Sequence, residues 1–353
     1  MENKIKEILE YAIWAPSGDN SQPWEFQIEN NKLIIFFIKD ADNIFLNYKN
    51  GGTLIAHGCL LENIVIASRN FGLSTKIEIP DNGVAERVTA IITFEVSDVY
   101  DNSLFEEIKK RHTNRKNYSS IKIDENIKEN LLNAVKDFPE VFFDIKEDED
   151  SKKKLGAAGA NAEIVILENM FLHGALFSDV VWNSKQERKK HKGLYVGSME
   201  FNPVQIFLFW LASFWSLMRI AIIIGFPRFI AKEDSVKYAS GAFLGLISTA
   251  TNKKVDFINC GRLMQRIWLI CSKNNLSFQP IIAMPFLYKM QAEDLLKDIS
   301  LTKEHIDIIN NSYTEIKNQI KDKNLQVNLM FRVGYADSAS DRTSRFDLLS
   351  KFK

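Results

Sequence analysis

The chain has 353 residues, enough for about two domains on a prior of roughly 100 to 200 residues each. Lys+Arg and Asp+Glu are equal at 45 each, so the formal net charge is +0 and the basic field that a nucleic-acid binder needs is missing; nucleic acid is not an expected partner. The three cysteines, Cys59, Cys260 and Cys271, lie in apolar helical segments with no Cys-x-x-Cys or Cys/His spacing, which argues against a disulfide framework or metal site and for buried free thiols of a reducing compartment.

The charged, amphipathic start Glu2-Asn-Lys-Ile-Lys-Glu-Ile does not read as a secretory signal peptide, and the cytoplasm is the expected location. A helix is predicted over residues 4–14, ended by the turn-forming run Ala15-Pro16-Ser17-Gly18-Asp19-Asn20. Strands at 24–28 and 32–39 flank the turn Glu29-Asn30-Asn31. Residues 54–73 then form one copy of an internal duplication. They align without a gap on residues 257–276, with Gly58 on Gly261 and Leu73 on Leu276. Each copy has apolar residues at helical spacing and a Gly or Asn where a left-handed cap would end the helix. Two related domains packed as the halves of a pseudo-dimer are therefore expected, which removes the need for a homodimer but leaves one open.

A β-branched strand at 87–96 closes the first half near residue 100. The second half opens on the basic cluster 109–116, followed by a helix at 125–138 and a strand at 141–146. The charge block 147–154 reads as a solvated linker or helix start. Long helical segments are expected over 155–182, a strand at 242–249, the second repeat helix with Gln279-Pro280 as its terminator, and a strand at 324–335 trailed by a polar tail at 336–345. Strands and helices mix without strict alternation, which is an α+β pattern.

The stretch 203–226 is almost wholly apolar and about long enough for a bilayer span of roughly 20 residues. As one helix it would carry a polar stripe of Gln205, Ser213, Ser216 and Arg219. A buried or lid-forming helix pair is the favoured reading, with membrane-surface contact next and a true span last, because Arg219 would lie deep in the span.

Two motifs bear on chemistry. In Arg111-His112-Thr113-Asn114-Arg115, two guanidinium groups flank a hydroxyl and offer forked donors to a phosphate, although such a cluster alone is more often a solvated charged face. The run Ala15-Pro16-Ser17-Gly18-Asp19-Asn20-Ser21-Gln22-Pro23-Trp24 supplies amide donors at a strand entrance without an acid/base pair or a nucleophile. Together the two resemble the signatures of the nitroreductase superfamily of FMN-binding proteins, Arg-x-Ser/Thr-x-Arg/Lys and Ala-Pro-Ser-x-x-Asn-x-Gln-Pro-Trp. Their order is reversed here, because no Arg motif precedes the first and Lys136-Asp-Phe-Pro-Glu140 stands where a second Pro-Ser motif would follow Arg111 to Arg115. This is similar to single-chain, tandem-domain nitroreductase-like proteins of the Acg type, with one complete flavin site shared by two nitroreductase-like halves, 1–104 and 105–353, and a helical insert at about 183–240.

The resemblance implies roles residue by residue. Arg111 and Thr113 would hold the FMN phosphate and ribityl chain with His112 beside them, and Arg115 would place positive charge near flavin N1 and O2. Pro16, Ser17 and Asn20 would approach the ring from the other half. Pro280, Ile281 and Ile282 would bring a backbone amide to N5, and Arg342 and Arg345 would close on the phosphate. The implied activity is reduction of the flavin by NAD(P)H and reoxidation by a small-molecule acceptor such as a quinone or nitroaromatic; the alternative is a storage protein whose flavin is covered by the insert. The residues themselves offer no side-chain acid or base as catalyst and no metal site: His57 reads as a core histidine, His173 lacks a spaced second ligand, and Trp182, Trp210 and Trp215 read as packing groups.

Overall fold

The computed structural model describes residues 1–43, 47–80 and 87–353. Helix α1 (Glu2–Ala12) buries Ile5, Ile8, Leu9 and Ala12, one face at helical spacing. Strands β1 (Trp24–Glu29) and β2 (Lys32–Phe37) form a hairpin, and α2 (Gly51–Asn70) follows, buried along nearly its whole length. After Gly72, at φ +66, come β3 (Leu73–Glu78) and β4 (Val88–Val96). These four strands make an antiparallel sheet in the order β1-β2-β4-β3.

The chain then passes through α3 (Glu107–Lys110) and α4 (Glu125–Asn133) to β5 (Val141–Lys146) and α5 (Glu149–Glu168). An excursion of α6 (Met170–Ser178), β6 (Val180–Val181), α7 (Ser184–Lys190), β7 (Leu194–Tyr195), α8 (Pro203–Ala212), α9 (Trp215–Ile223) and α10 (Phe226–Ala239) follows. It returns to β8 (Phe243–Thr249), α11 (Lys254–Lys273), β9 (Ser277–Ile281), α12 (Ala283–Ala292), α13 (Lys303–Asn318) and β10 (Gln326–Gly334). The second antiparallel sheet has the order β5-β8-β10-β9. Both sheets thus run first, second, fourth, third, and in both a 20-residue helix joins the second strand to the third.

Those two helices, α2 and α11, cross in contact. A Cβ on Gly58 would lie 2.0 Å from the Ile258 carbonyl oxygen, and one on Gly261 would lie 2.0 Å from that of Ile55. Under the duplication, Ile55 corresponds to Ile258, so the contact is reciprocal in the manner of an isologous interface. Further along the seam, Gln265 Nε2 donates to Asn63 Oδ1 at 2.7 Å, and Arg266 Nε donates to Glu62 Oε1 at 2.7 Å, again a reciprocal pair of positions. The last residues close the molecule: Phe352 bridges Phe26 in parallel, and Lys353 N donates to Phe26 O at 3.0 Å, covering the free edge of β1.

Several expected elements change. The helical run from 155 breaks at Asn169, whose side chain caps α6 after a 98° bend, and residues 180–181 are strand. The charge block starts α5, with Asp148 as N-cap; it is not fully solvated, since Lys152 is buried and donates to Gly241 O at 2.9 Å. Pro280 does not terminate a helix. It sits in β9 opposite Phe331, and β9 is an edge strand, where the missing N–H costs no ladder bond. The apolar stretch 203–226 is neither one helix nor buried: α8 and α9 meet at 103°, so the stripe of Gln205, Ser213, Ser216 and Arg219 does not exist as a line, and Trp210 is exposed instead of packed. Helices of 10 and 9 residues are each too short for a span. The helix that passes on length and composition among the described residues covers Tyr48–Asn70 and is 94% buried inside the protein.

Gly58→Ala should push the α2–α11 crossing apart and destabilise the fold by about 1–3 kcal/mol or more; a denaturant midpoint unchanged from wild type would show that the helices do not cross this closely.

Candidate functional site: an arginine cleft beside the helix seam

The loop after α1 is held in an unusual shape. Asp19, Asn20 and Gln22 all have positive φ, at 43, 53 and 48°, a conformation non-glycine residues adopt only when neighbours fix it. The neighbours come from far along the chain. Gln22 accepts from Phe346 N at 2.9 Å, its backbone oxygen accepts from Lys351 Nζ at 2.9 Å, and Gly193 N donates to Asp19 O at 2.8 Å. Ser17 Oγ accepts from Gln22 N at 2.9 Å.

Arg111 follows the short helix α3 and is almost fully buried. Its Nη2 donates to Trp14 O at 3.0 Å and its guanidinium lies over the Trp268 ring at 4.2 Å. From the C-terminal tail, Arg345 donates to Ile13 O at 3.1 Å and Asn20 Oδ1 at 2.8 Å. Arg342 stacks on Trp14 at 4.1 Å and donates to Lys109 O. Three guanidinium groups from residues 111, 342 and 345 thus converge on one cleft of about 100 Å³, which Pro16, Ser17, Asn20, His112, Thr113 and Arg115 also line. Their charges are not neutralised. Burial, then Arg345 and Arg342, pushes the Arg111 guanidinium well below its usual range; burial lowers Arg342 to about 10; burial, then Arg342, lowers Arg345 to about 9. Arg111 Nε and Arg342 Nε and Nη2 are buried without a hydrogen-bond acceptor.

The cleft adjoins a cavity of about 860 Å³, and Pro16, Ser17, Asp19, Thr113 and Arg115 line both. The cavity floor is the helix seam, with Gly52, Ile55 and Ala56 from α2 and Met264 and Trp268 from α11. One wall is Pro280, Ile281 and Ile282, and another is the excursion, through Phe201, Leu208, Phe209 and Phe229. Arg115 Nη1 donates to Ser198 O at 2.9 Å.

All twelve residues singled out from the sequence therefore reach the cleft or the cavity. Asn20, while lining the cleft, also positions the tail: its Nδ2 donates to His191 O and Ser344 O at 3.0 Å each, and its Oδ1 accepts from Arg345 at 2.8 Å. Other residues carried no sequence signal. Trp14 and Trp268 were invisible as platforms for guanidinium groups, and Glu187, which accepts from Ser344 N and Oγ at 2.7 Å each, lies in the insert with no motif around it. Glu163, half-buried in the cavity wall, has its carboxyl pushed up to about 8 by burial and by Asp234. Burial, then the carboxylates of Asp179 and Asp42, raises Asp19 to about 6.

On the other side of the seam the cationic groups are paired. Phe138, in the segment where a second Pro-Ser motif was missing, is buried under the guanidinium groups of Arg262 and Arg266, and these bind the fully buried Glu62. His57 is a core residue held by Thr53 O at 2.9 Å, and burial lowers it to about 4. His173 is buried against Ala212 O at 2.8 Å. The three cysteines are free and buried, which raises all three thiols.

Replacing Arg342 by Met should leave the ligand-free unfolding temperature no lower than wild type, because one of three mutually repelling charges goes. It should also cut stabilisation by inorganic phosphate; thermal melts across a phosphate titration decide this, and an undiminished phosphate effect would remove Arg342 from the anion site. Glu163 holds a proton in the folded chain that the unfolded chain releases above about 4.5, so its contribution to stability falls as pH rises toward about 8. Glu163→Gln should lack that fall, its stability relative to wild type growing between pH 5 and pH 8 in parallel denaturation curves.

The sequence matches no family model and no curated protein sequence. Among solved structures, the chain is similar to the FMN-dependent nitroreductase NfnB from Mycobacterium smegmatis in complex with NADPH, at 13% identity and a TM-score of 0.38 over 70% of this chain and 96% of that one. It is also similar to an FMN-bound nitroreductase from Bacteroides fragilis, at 11% identity and a TM-score of 0.37 over 70% and 96% of the two chains. A third is oxidised iodotyrosine deiodinase bound to FMN and 3-iodo-L-tyrosine, at 14% identity and a TM-score of 0.38 over 69% and 95%. These likenesses are remote, and the assignment of the site rests on its own side chains.

Proposed function

We propose that the cleft and cavity together bind FMN and that the protein is an oxidoreductase of the nitroreductase type, built from two related halves, 1–104 and 105–353, with residues 183–240 inserted in the second. One observation carries the reading: three convergent, unneutralised guanidinium groups, two of them with buried N–H groups lacking an acceptor, open onto an apolar cavity. A phosphomonoester with charge near two matches that donor set, and a flat ring system matches the adjoining walls. Arg111, Arg342 and Arg345 would hold the phosphate, and His112 and Thr113 the ribityl chain. Arg115 would set positive charge beside the ring, where it favours the reduced anion. Pro16 and Ser17 would border the ring from one side, and Pro280, Ile281 and Ile282 from another.

When bound, FMN supplies two-electron transfer from NAD(P)H to a quinone, nitroaromatic or other unsaturated acceptor. The chain's own part is positioning and exclusion of water, and Glu163, whose carboxyl is raised by burial and by Asp234, lines the same cavity. The alternative, storage of a covered flavin, needs a site with no space beside the ring. The cavity's continuation from Arg115 to Leu208 and Phe229 favours turnover instead.

The test is the visible spectrum of the purified protein, followed anaerobically after adding NADH or NADPH. Flavin absorbance that bleaches within seconds supports the enzyme; bound flavin that stays oxidised favours storage. Arg111→Ala combined with Arg115→Ala should lose stoichiometric FMN, and retention by a folded double variant would overturn the assignment.

A further inference from the structure

The outer side of the excursion presents apolar residues to solvent: Ile223 is 84% exposed, Ile224 77%, Val204 66% and Ile220 60%, with Phe207 and Trp210 beside them. Large apolar side chains exposed along two adjoining helices mark an interaction face. The segment that carries them has an excess of positive charge. Residues 183–240 hold nine Lys or Arg against four Asp or Glu, in a chain whose formal net charge is +0. Of the four acids, Glu187 is buried against Ser344, Glu200 binds Ser340, Asp234 lies at the cavity beside Lys237, and Glu233 is exposed. Arg228 is occupied by Glu304 at 2.8 Å, whereas Arg219 on α9 and Lys232 on α10 are exposed, as are Lys185, Arg188, Lys189 and Lys190 on α7 of the same excursion.

We propose that the α8–α9 face docks on an anionic lipid surface, and that the cavity beneath it takes a lipophilic acceptor, a quinone with an apolar tail, from that surface. Short helices that meet at 103° and are too brief to span suit insertion to the depth of the headgroup and acyl boundary. A tryptophan on such a face sits well at that boundary. Exposed basic side chains on the same excursion complement anionic headgroups. A second copy of the chain fits less well, because a two-fold interface would set the same basic residues against each other. Leu208 and Phe229 connect the face to the cavity, since each is exposed on the surface and also lines the interior.

The docking stands apart from the flavin assignment; the acceptor class rests on it. The full-length protein is floated with vesicles of phosphatidylcholine alone and of phosphatidylcholine plus phosphatidylglycerol, at low and high salt. Co-flotation with the anionic vesicles at low salt is expected, falling about tenfold at high salt and about tenfold in the double variant Ile223→Asp with Ile224→Asp. Lys189→Glu with Lys190→Glu should weaken anionic flotation without touching the apolar residues. Both variants are compared with wild type by circular-dichroism melts, so that an unfolded variant is recognised. Absence of wild-type flotation on both vesicles overturns the docking. So does self-association in sedimentation that the Ile223/Ile224 variant abolishes, and equal flotation on neutral vesicles overturns the anionic preference. For the acceptor, wild type should reduce a long-tailed quinone in anionic vesicles faster than the Ile223/Ile224 variant, while both reduce a water-soluble quinone equally. Equal rates on the vesicle quinone overturn entry from the lipid. A protein without flavin fails the proposed function while the flotation result still decides the docking.

Discussion

The backbone contact between α2 and α11 is the constraint on which the site depends. With a hydrogen in place of a side chain at Gly58 and Gly261, each helix brings its backbone against a carbonyl oxygen of the other, and a single methyl group on either would occupy that space. The crossing fixes the distance between the two sheets. It also lays Gly52, Ile55 and Ala56 beside Met264 and Trp268 as one continuous floor. Once the helices are locked, Arg111 falls between Trp14 and Trp268, and the loop from Pro16 to Asn20 faces it.

A second constraint is the electrostatic debt left in the cleft. Three guanidinium groups are brought together, Arg345 bonded to neutral oxygens but Arg111 and Arg342 with N–H groups lacking an acceptor, and among the described residues no carboxylate is bonded to them; such an arrangement costs stability that a bound anion would restore. The surrounding scaffold tolerates it because the C-terminal tail is tied down along its length: Arg345 to Ile13 and Asn20, Ser344 to Glu187, Lys351 to Gln22, and Phe352 to Phe26. On the opposite side of the seam the cationic groups are matched instead, Arg262 and Arg266 to Glu62 with Phe138 beneath them, so no comparable demand for an anion exists there. Matching strand orders and unequal chemistry coexist because the crossing uses backbone and small residues, whereas the two sides of it use different long side chains.

The excursion from α6 to α10 joins the site to the outside. Its inner residues wall the cavity, its first segment holds the tail through Glu187 and His191, and its outer face is apolar and basic. A small separate core of Leu167, Ala212 and Met218 supports α8 and α9, while α10 is anchored where its backbone passes Gly156 on α5.

The sequence by itself determined the two alignable helices, the strands around them and the α+β class, because periodicity and paired glycines are local or self-comparing signals; the residues that gather at the cleft are named only through the resemblance of two motifs to a known family. Strand β5 is legible residue for residue, since Val141 to Lys146 is rich in β-branched and aromatic side chains and lies between charged runs. Only tertiary structure decided that Pro280 belongs to an edge strand, that Asn20 bonds Arg345, and that the apolar run at 203 is two exposed helices at 103°. A proline or an asparagine looks the same in sequence whatever its partner, and an apolar run does not say whether it meets core, cavity or lipid. Those outcomes are set by groups as far apart as residues 20 and 345, which only the folded chain brings within hydrogen-bonding distance.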